Sequence, residues 1–255
     1  MLEASQSGAD QPAPRLALFT DFDGTLVDLA ETPDDIAVPA GLADELDMAA
    51  ERFGHALAVV TGRRIADIDL YLGQPSLAVA GSHGAERRRA DGSFIAPTEN
   101  LIAGAEAIAE RLRPFVEAHE GLLLEVKDAA VALHFRQAPE QDEASAEAIR
   151  EAVAEVGGFS VVAGKLVYEA RPSGIDKGEA VRAFMREAPF AGRLPVFIGD
   201  DLTDEDGFRA AQELGGVGIK LGSGDTSARL RIPSVAAAHA LIRGLAERQP
   251  EDAPQ

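Results

Sequence analysis

Asp21-Phe22-Asp23-Gly24-Thr25 stands directly after an apolar run, Leu16-Ala17-Leu18-Phe19-Thr20, and before a stretch with neither helical nor strand periodicity. The run predicts a buried strand. Two acids one residue apart at its end, with a glycine behind them, do nothing for packing. The pattern D-x-D-G-T arises at a given position by chance on the order of 1 in 10⁵ from average residue usage, so it is read as chemistry rather than as a helix-capping turn.

Outward from that strand, GLADELDMAAERFG, HALAVVTG, RIADIDLYLG and LAVAGS complete a β-α-β-α-β rhythm, which predicts a parallel sheet with helices on both faces. A hairpin turn at Asp91-Gly92 interrupts it. Asn100 to about His119 then reads as helix, LLLEVKD and VALHFRQ as strands, EQDEASAEAIREAVAEV as helix, FSVVAG and KLVYEAR as strands. That is an α-β-β-α-β-β unit whose strand pairs are close enough in sequence to run antiparallel. From Ile175 the first rhythm resumes with KGEAVRAFMREA, LPVFIGDD, DEDGFRAAQELG, GVGIKLG and a last helix AAAHALIRGLAER. The expected fold is α/β: a Rossmann-like core over residues 15–99 and 173–246, an inserted smaller α/β unit over 100–172, and flexible tails at 1–14 and 247–255.

A chain of 255 residues with 46% hydrophobic side chains can bury a sizeable core. Its formal charge of −19, from 24 basic and 43 acidic residues, repels nucleic-acid phosphates and anionic lipid. Arg87-Arg88-Arg89 reads as a solvated turn. A small molecule is therefore the expected partner, with no nucleic acid and no membrane. There is no cysteine, which excludes disulfide and thiolate chemistry and agrees with a reducing compartment. No apolar segment reaches the roughly 18 residues that span a bilayer, and the opening MLEASQSGADQPAPR lacks a signal-peptide layout. The expectation is a cytoplasmic protein, monomeric rather than oligomeric.

In an open parallel sheet, ligands sit beyond the carboxyl ends of the strands. Three predicted strands end in Asp21-Phe22-Asp23, Thr61-Gly62-Arg63 and Asp200-Asp201. Carboxylates gathered there cannot all stay ionised without a cation, and Mg²⁺ suits oxygen donors and phosphate. Asp21, the carbonyl of Asp23, and Asp200 would hold it. Asp21 could attack phosphorus as a nucleophile, while Asp23 protonates the leaving oxygen and then deprotonates water. Gly24 lets backbone N–H groups approach phosphate oxygens. Thr61 offers a hydroxyl donor, and Lys177 a positive charge at a helix start that also favours anions. Asp201, Asp204 and Glu205 read either as partners that orient the metal site or as helix caps, with Asp204 the strongest candidate orienter. The metal-site set is then Asp21, Asp23, Asp200, Asp201 and Asp204.

With those residues assembled, the chain resembles the haloacid dehalogenase superfamily of phosphatases in Asp21 through Thr25, Thr61-Gly62-Arg63, Lys177-Gly178 and Gly199 through Asp204. It is also similar to the trehalose-6-phosphate phosphatase family in several further stretches. These are Gly81-Ser82-His83-Gly84-Ala85-Glu86, Glu125-Val126-Lys127 leading into Ala132 through Arg136, Gly164 through Glu169, and Arg171-Pro172. The resemblance implies Mg²⁺-dependent hydrolysis of trehalose 6-phosphate, with the inserted unit acting as a cap over the disaccharide. It also implies substrate contacts from Gly24, Thr25, Gly62, Arg63, His83, Gly84, Glu125, Lys127 and Glu169. Alternatives stay open from the residues themselves. Glu125 and Lys127 share a strand face and would also make an exposed ion pair. His83 would also serve as a backbone-bonded turn residue, Arg63 as the start of a helix surface, and His134 as a structural strand residue. Phe135 stands where the similar stretch commonly has tyrosine, which removes a hydroxyl contact. Competing functions are a phosphatase of another sugar phosphate, a phospho-acceptor receiver module, and a silent sugar-phosphate sensor. A receiver would need neither Asp23 nor a cap, and a silent sensor would be expected to have lost Asp21 or Asp23.

Overall fold

The computed structural model describes residues 14–30, 35–73, 77–164 and 166–250. Of the tails expected at 1–14 and 247–255, residues 1–13 and 251–255 lie outside the described residues, as does Lys165 of the similar stretch; Glu247 is the last residue of the final helix. Two sheets organise the chain. The larger contains β1 (Leu16–Thr20), β2 (Leu57–Val60), β3 (Ala78–Gly81), β4 (Glu86–Arg88), β5 (Phe94–Ile95), β10 (Leu194–Gly199), β11 (Val217–Leu221) and β12 (Leu230–Ile232). Their order is β12-β11-β10-β1-β2-β3-β4-β5. All pairings from β12 across to β3 are parallel, and β4 and β5 are added antiparallel.

Alternation along the central strands builds a core on each face of this sheet, because successive side chains point to opposite sides. Leu18, Val59 and Ile198 join one buried cluster with Leu42 and Leu46 of α1 (Leu42–Arg52), Ile65 and Ile68 of α2 (Ile65–Leu72), and Ile242 of α7 (Val235–Glu247). Phe19, Val60 and Phe197 join the other with Phe184 of α5 (Lys177–Met185) and Phe208 of α6 (Asp204–Glu213). Phe19 stacks on Phe190 at 5.4 Å between ring centroids. Helices on both faces leave only the strand ends free for polar work.

The smaller sheet, β6-β7-β9-β8, is antiparallel throughout and comprises β6 (Leu123–Val126), β7 (Val131–His134), β8 (Phe159–Gly164) and β9 (Val167–Pro172). Its helices, α3 (Glu99–Ala118) and α4 (Asp142–Val156), lie on one face. Val131, Leu133 and Ala170 pack there against Ile108, Leu112 and Ile149. By the same alternation, Ala132, His134, Val167 and Glu169 turn to the opposite face, where they line a cavity shared with the larger sheet. The α-β-β-α-β-β order matches the sequence expectation. Phe135 is 3% exposed and stacks on Tyr168 at 5.3 Å, so a packing position is what the aromatic ring fills there.

Two local readings are corrected. Arg87-Arg88-Arg89 is no solvated turn: Arg87 and Arg88 belong to β4, at 9% and 7% exposure. Each is buried with partners that lie far along the chain. Arg87 donates to both carboxylate oxygens of Glu187 at 2.8 and 2.9 Å and lies 4.8 Å over the Phe184 ring. Arg88 donates to Leu77 O at 2.8 Å and to Asp69 at 2.7 Å. Strand β12 was also not expected. It is three residues long, with Leu230 56% exposed, and its only regularity is its pairing with β11. Among the described residues, no helix is long and apolar enough to cross a membrane.

Candidate active site

The site forms where β1, β2 and β10 end, and each strand delivers one group. The Asp21 N–H donates to Ile198 O at 2.9 Å, which ties the nucleophile candidate to the adjacent strand. Asp21 is 5% exposed. Lys177, at the first position of α5, is buried between two carboxylates, with Nζ 2.9 Å from Asp21 Oδ2 and 2.7 Å from Asp204 Oδ1. The helix is anchored just before it by Asp176, whose side chain accepts the Glu179 N–H at 2.8 Å. Burial works against the Lys177 charge, but Asp204 and Asp21 outweigh it and hold the ammonium protonated.

Asp21, Asp200 and Asp204 bring carboxylate oxygens within 4.8 Å of one another. Burial first, and then the Asp204 charge, push Asp21 well above the ordinary carboxylate range, although Lys177 pulls the other way. The same two causes raise Asp200 to about 6. Three crowded carboxylates with this excess of negative charge are a donor set that a hard divalent cation would relieve. The three are not equivalent. Asp204 already accepts from Lys177 through Oδ1, and through Oδ2 from the N–H groups of Asp200 and Asp201 at 2.9 and 2.8 Å. It shapes the loop that presents Asp200. Asp201 accepts from Leu202 N at 2.6 Å and is not part of the cluster, and neither is the Asp23 carboxylate.

Around the cluster, Thr25 Oγ1 donates to Asp200 Oδ1 at 3.3 Å. Gly24 has φ +71, and a Cβ there would lie 2.1 Å from Asp200 Oδ2. Only glycine fits on both counts. Thr61 is fully buried, and its Oγ1 accepts the Arg63 N–H at 3.1 Å. A Cβ on Gly62 would lie 2.6 Å from His83 Nε2, so His83 packs directly on that backbone. His83 sits in a 3₁₀ turn, Ser82–Gly84, with left-handed φ 58. Burial, and then Arg171, push its imidazole well below the usual histidine range, which keeps the ring neutral. Asp23 is held by Arg63 in a two-pronged pair.

The opposite wall belongs to the smaller sheet. Glu169 is buried and receives Lys127 Nζ at 3.0 Å and Arg171 Nε at 2.6 Å, and its Oε2 lies 3.7 Å from His83 Nε2. Burial alone would raise this carboxyl, but Lys127 and Arg171 reverse the effect and bring it to about 2. Glu125 pairs with His134 at 2.9 Å rather than with Lys127. Between the walls lies a cavity of about 920 Å³ reached by Asp21, Lys177, Asp200, His83, Arg136 and Glu169. It is large enough for a phosphorylated disaccharide. Glu125, Lys127 and Arg63 line its continuation, a second space of about 630 Å³.

Two participants were not among the expected site residues. Arg171, quoted only as part of a similar stretch, is the second cation, after Lys127, that holds Glu169 ionised. Lys220, 6% exposed in β11, donates Nζ to Asp200 O and so steadies the acidic loop. Each was an ordinary cation in a strand until folding gave it a partner.

The sequence pattern of a family described as trehalose-phosphatase matches residues 19–235. A probable trehalose-phosphate phosphatase of Sinorhizobium fredii (strain NBRC 101917 / NGR234) is 41% identical over 233 residues, which cover 90% of this chain and 87% of that protein. A trehalose-6-phosphate phosphatase of Escherichia coli (strain K12) is 39% identical over 222 residues, covering 87% and 83%. Among solved structures, a trehalose-6-phosphate phosphatase related protein superposes with a TM-score of 0.76 at 27% identity, over 91% of this chain and 97% of the other. The match runs from the β1 acids to the first residue of α7, and so takes in both walls of the cleft: the chain belongs to the trehalose-phosphatase family.

Proposed function

We propose that this chain hydrolyses trehalose 6-phosphate to trehalose and phosphate through a phosphorylated Asp21. The observation that carries the reading is the buried Lys177 bridging Asp21 and Asp204 beneath a cavity whose far wall is polar. In the first half of the reaction an Asp21 oxygen bonds to phosphorus, the bond from phosphorus to the sugar oxygen breaks, and that oxygen takes a proton from Asp23. In the second half, water gives a proton to Asp23 while its oxygen bonds to phosphorus; the bond to Asp21 breaks and phosphate leaves.

Asp21, Asp200 and the carbonyl of Asp23 would hold Mg²⁺, which when bound offsets the repulsion between Asp21 and an anionic substrate. Asp204 orients Asp200, and Lys177 holds Asp21 in place and works against the burial that disfavours its charge. Backbone N–H groups at Gly24 and Gly62 and the Thr61 hydroxyl suit phosphate oxygens, while Thr25 turns its N–H to Phe22 O and its hydroxyl to Asp200. Glu125, Lys127 and Glu169, with His83 facing the same cleft, suit sugar hydroxyls, because a site built on paired donors and acceptors rejects ligands that leave them unpaired. Gly84 lines neither cavity and packs toward Ile175, Asp176 and Ala180. In this reading residues 15–99 and 173–246 form the catalytic core and 100–172 the cap. Work as a cytoplasmic monomer belongs to the same proposal, and the absence of cysteine suits that compartment.

The test is phosphate release from trehalose 6-phosphate, sucrose 6-phosphate and glucose 6-phosphate, with Mg²⁺ and with excess chelator, for the wild type and Asp21→Asn. Metal-dependent release confined to the trehalose ester and abolished by Asp21→Asn is expected. Release from another ester would keep the chemistry and discard the roles of Lys127 and Glu169, and no release from any would overturn the reading.

A further inference from the structure

Both carboxylate oxygens of Asp23 are taken. Arg63 donates from Nε to Oδ2 and from Nη2 to Oδ1, each at 2.7 Å. The guanidinium lies 5.1 Å from the Tyr71 ring centroid and 5.9 Å from that of Phe22, and those two rings stack at 6.2 Å. The Tyr71 hydroxyl accepts from Nη1 at 3.5 Å, and the Arg63 backbone is fixed through Thr61 Oγ1. With 11% of its side chain exposed, Arg63 is a built fixture rather than a surface ion pair. Planar fork contacts of this kind fix direction as well as distance.

A carboxyl group that gives a proton to an ester oxygen must present one of its own oxygens to it. In the fork with Arg63 both Asp23 oxygens accept hydrogen bonds, and the guanidinium rather than an ester oxygen sets the direction in which the carboxyl group faces the cleft. Arg63 also borders the space lined by Glu125, Lys127 and His134, where a sugar would lie. We propose that Arg63 is a positioning residue that holds Asp23 in the fork and surrenders it when sugar hydroxyls in the cleft draw the guanidinium onto themselves. The inference rests on the reading of Asp23 as the proton donor. It makes substrate identity control the timing of catalysis: an ester too small to reach Arg63 meets an enzyme whose Asp23 is still held.

Phenyl phosphate, which fills a phosphate site without reaching the cap and has a leaving group that needs protonation, is the probe. Losing one charge-assisted pair shifts a two-state balance by about tenfold, so Arg63→Gln is expected to raise kcat for phenyl phosphate by about that factor while raising KM for trehalose 6-phosphate. Tyr71→Leu, which removes a supporting ring and leaves the guanidinium, should move phenyl phosphate turnover the same way by less, and it carries the test should Arg63→Gln fail to fold. Unchanged or reduced phenyl phosphate turnover in the variants overturns the proposal. Asp23→Asn separates the two layers: retained turnover there removes the proton-donor reading and this inference with it. Abolished turnover, together with no gain in the Arg63 and Tyr71 variants, removes this inference alone.

Discussion

Gly24 carries more constraint than its size implies. Its φ of +71 costs an alanine roughly 1–2 kcal/mol, and the added methyl would meet Asp200 Oδ2 at 2.1 Å. The backbone cannot yield easily, because Asp21 just before it is bonded to β10. Asp200 must therefore move, and a displacement of even an ångström at a reacting centre costs about 100-fold. Gly24→Ala is expected to lose phosphatase activity by at least about that factor while its far-UV circular dichroism stays that of the wild type; activity within a few-fold of wild type would show the loop to be pliable. At this scale much of the site was legible. Asp21, Thr61, Lys177 and Asp200 were marked by strand ends and a helix start, since their positions follow from local pattern. The divided labour of the acids was legible in part: Asp204, read as the orienter, spends both oxygens inside the protein, while Asp201, read beside it for the metal site, bonds its neighbour's backbone. Which oxygen meets which partner depends on how the loop after β10 folds back, and no spacing in the sequence encodes that.

Among the elements, β4 shows where pattern reading fails. Three successive arginines look solvated because most arginines are. Here the strand adds to the edge of the large sheet, and Arg87 is covered because α5 brings Phe184 over it and the chain just beyond brings Glu187. Arg87→Ala is expected to lower stability by about 1.5–3 kcal/mol, the worth of a charged hydrogen-bonded pair with its ring contact. Arg89→Ala, whose side chain is 39% exposed, should cost about 0.5 kcal/mol or less. Urea unfolding of the two variants checks this, and equal losses would return β4 to the status of a solvated edge. The elements that were legible from sequence, β1 through β3, α3 through β9, and α5 through α7 apart from β12, have cores set by their own alternation or helical spacing. Of those that were not, β4 owes its burial to α5 and the chain just beyond it, far along the sequence, and β12 owes its strand state to pairing with β11.

At the scale of the molecule, the two walls of the cleft respond differently to acid. Glu169 titrates near 2 because Lys127 and Arg171 overcome the effect of its burial. A carboxyl depressed by folding adds stability that is fully present above its unfolded value of 4.5 and fades as pH falls toward 2. Across that window one such group contributes a slope of about 1.4 kcal/mol per pH unit. The expected result is that Glu169→Gln, compared with the wild type by urea unfolding at a series of pH values from neutral to about 3, flattens the acid side of the stability curve by about one proton's worth. Parallel curves would mean that the three charges are not coupled as their distances indicate.

The point at which the smaller sheet interrupts the larger one also bears on descent. The chain leaves the β5 edge, builds α3 through β9, and needs only residues 173–176 to reach Lys177 and resume. On the proposed division, everything that cuts the ester lies outside this insertion, and the Glu125, Lys127 and Glu169 wall lies within it. A lineage could exchange that cassette and acquire a new diet of phosphate esters while inheriting the cutting device unchanged.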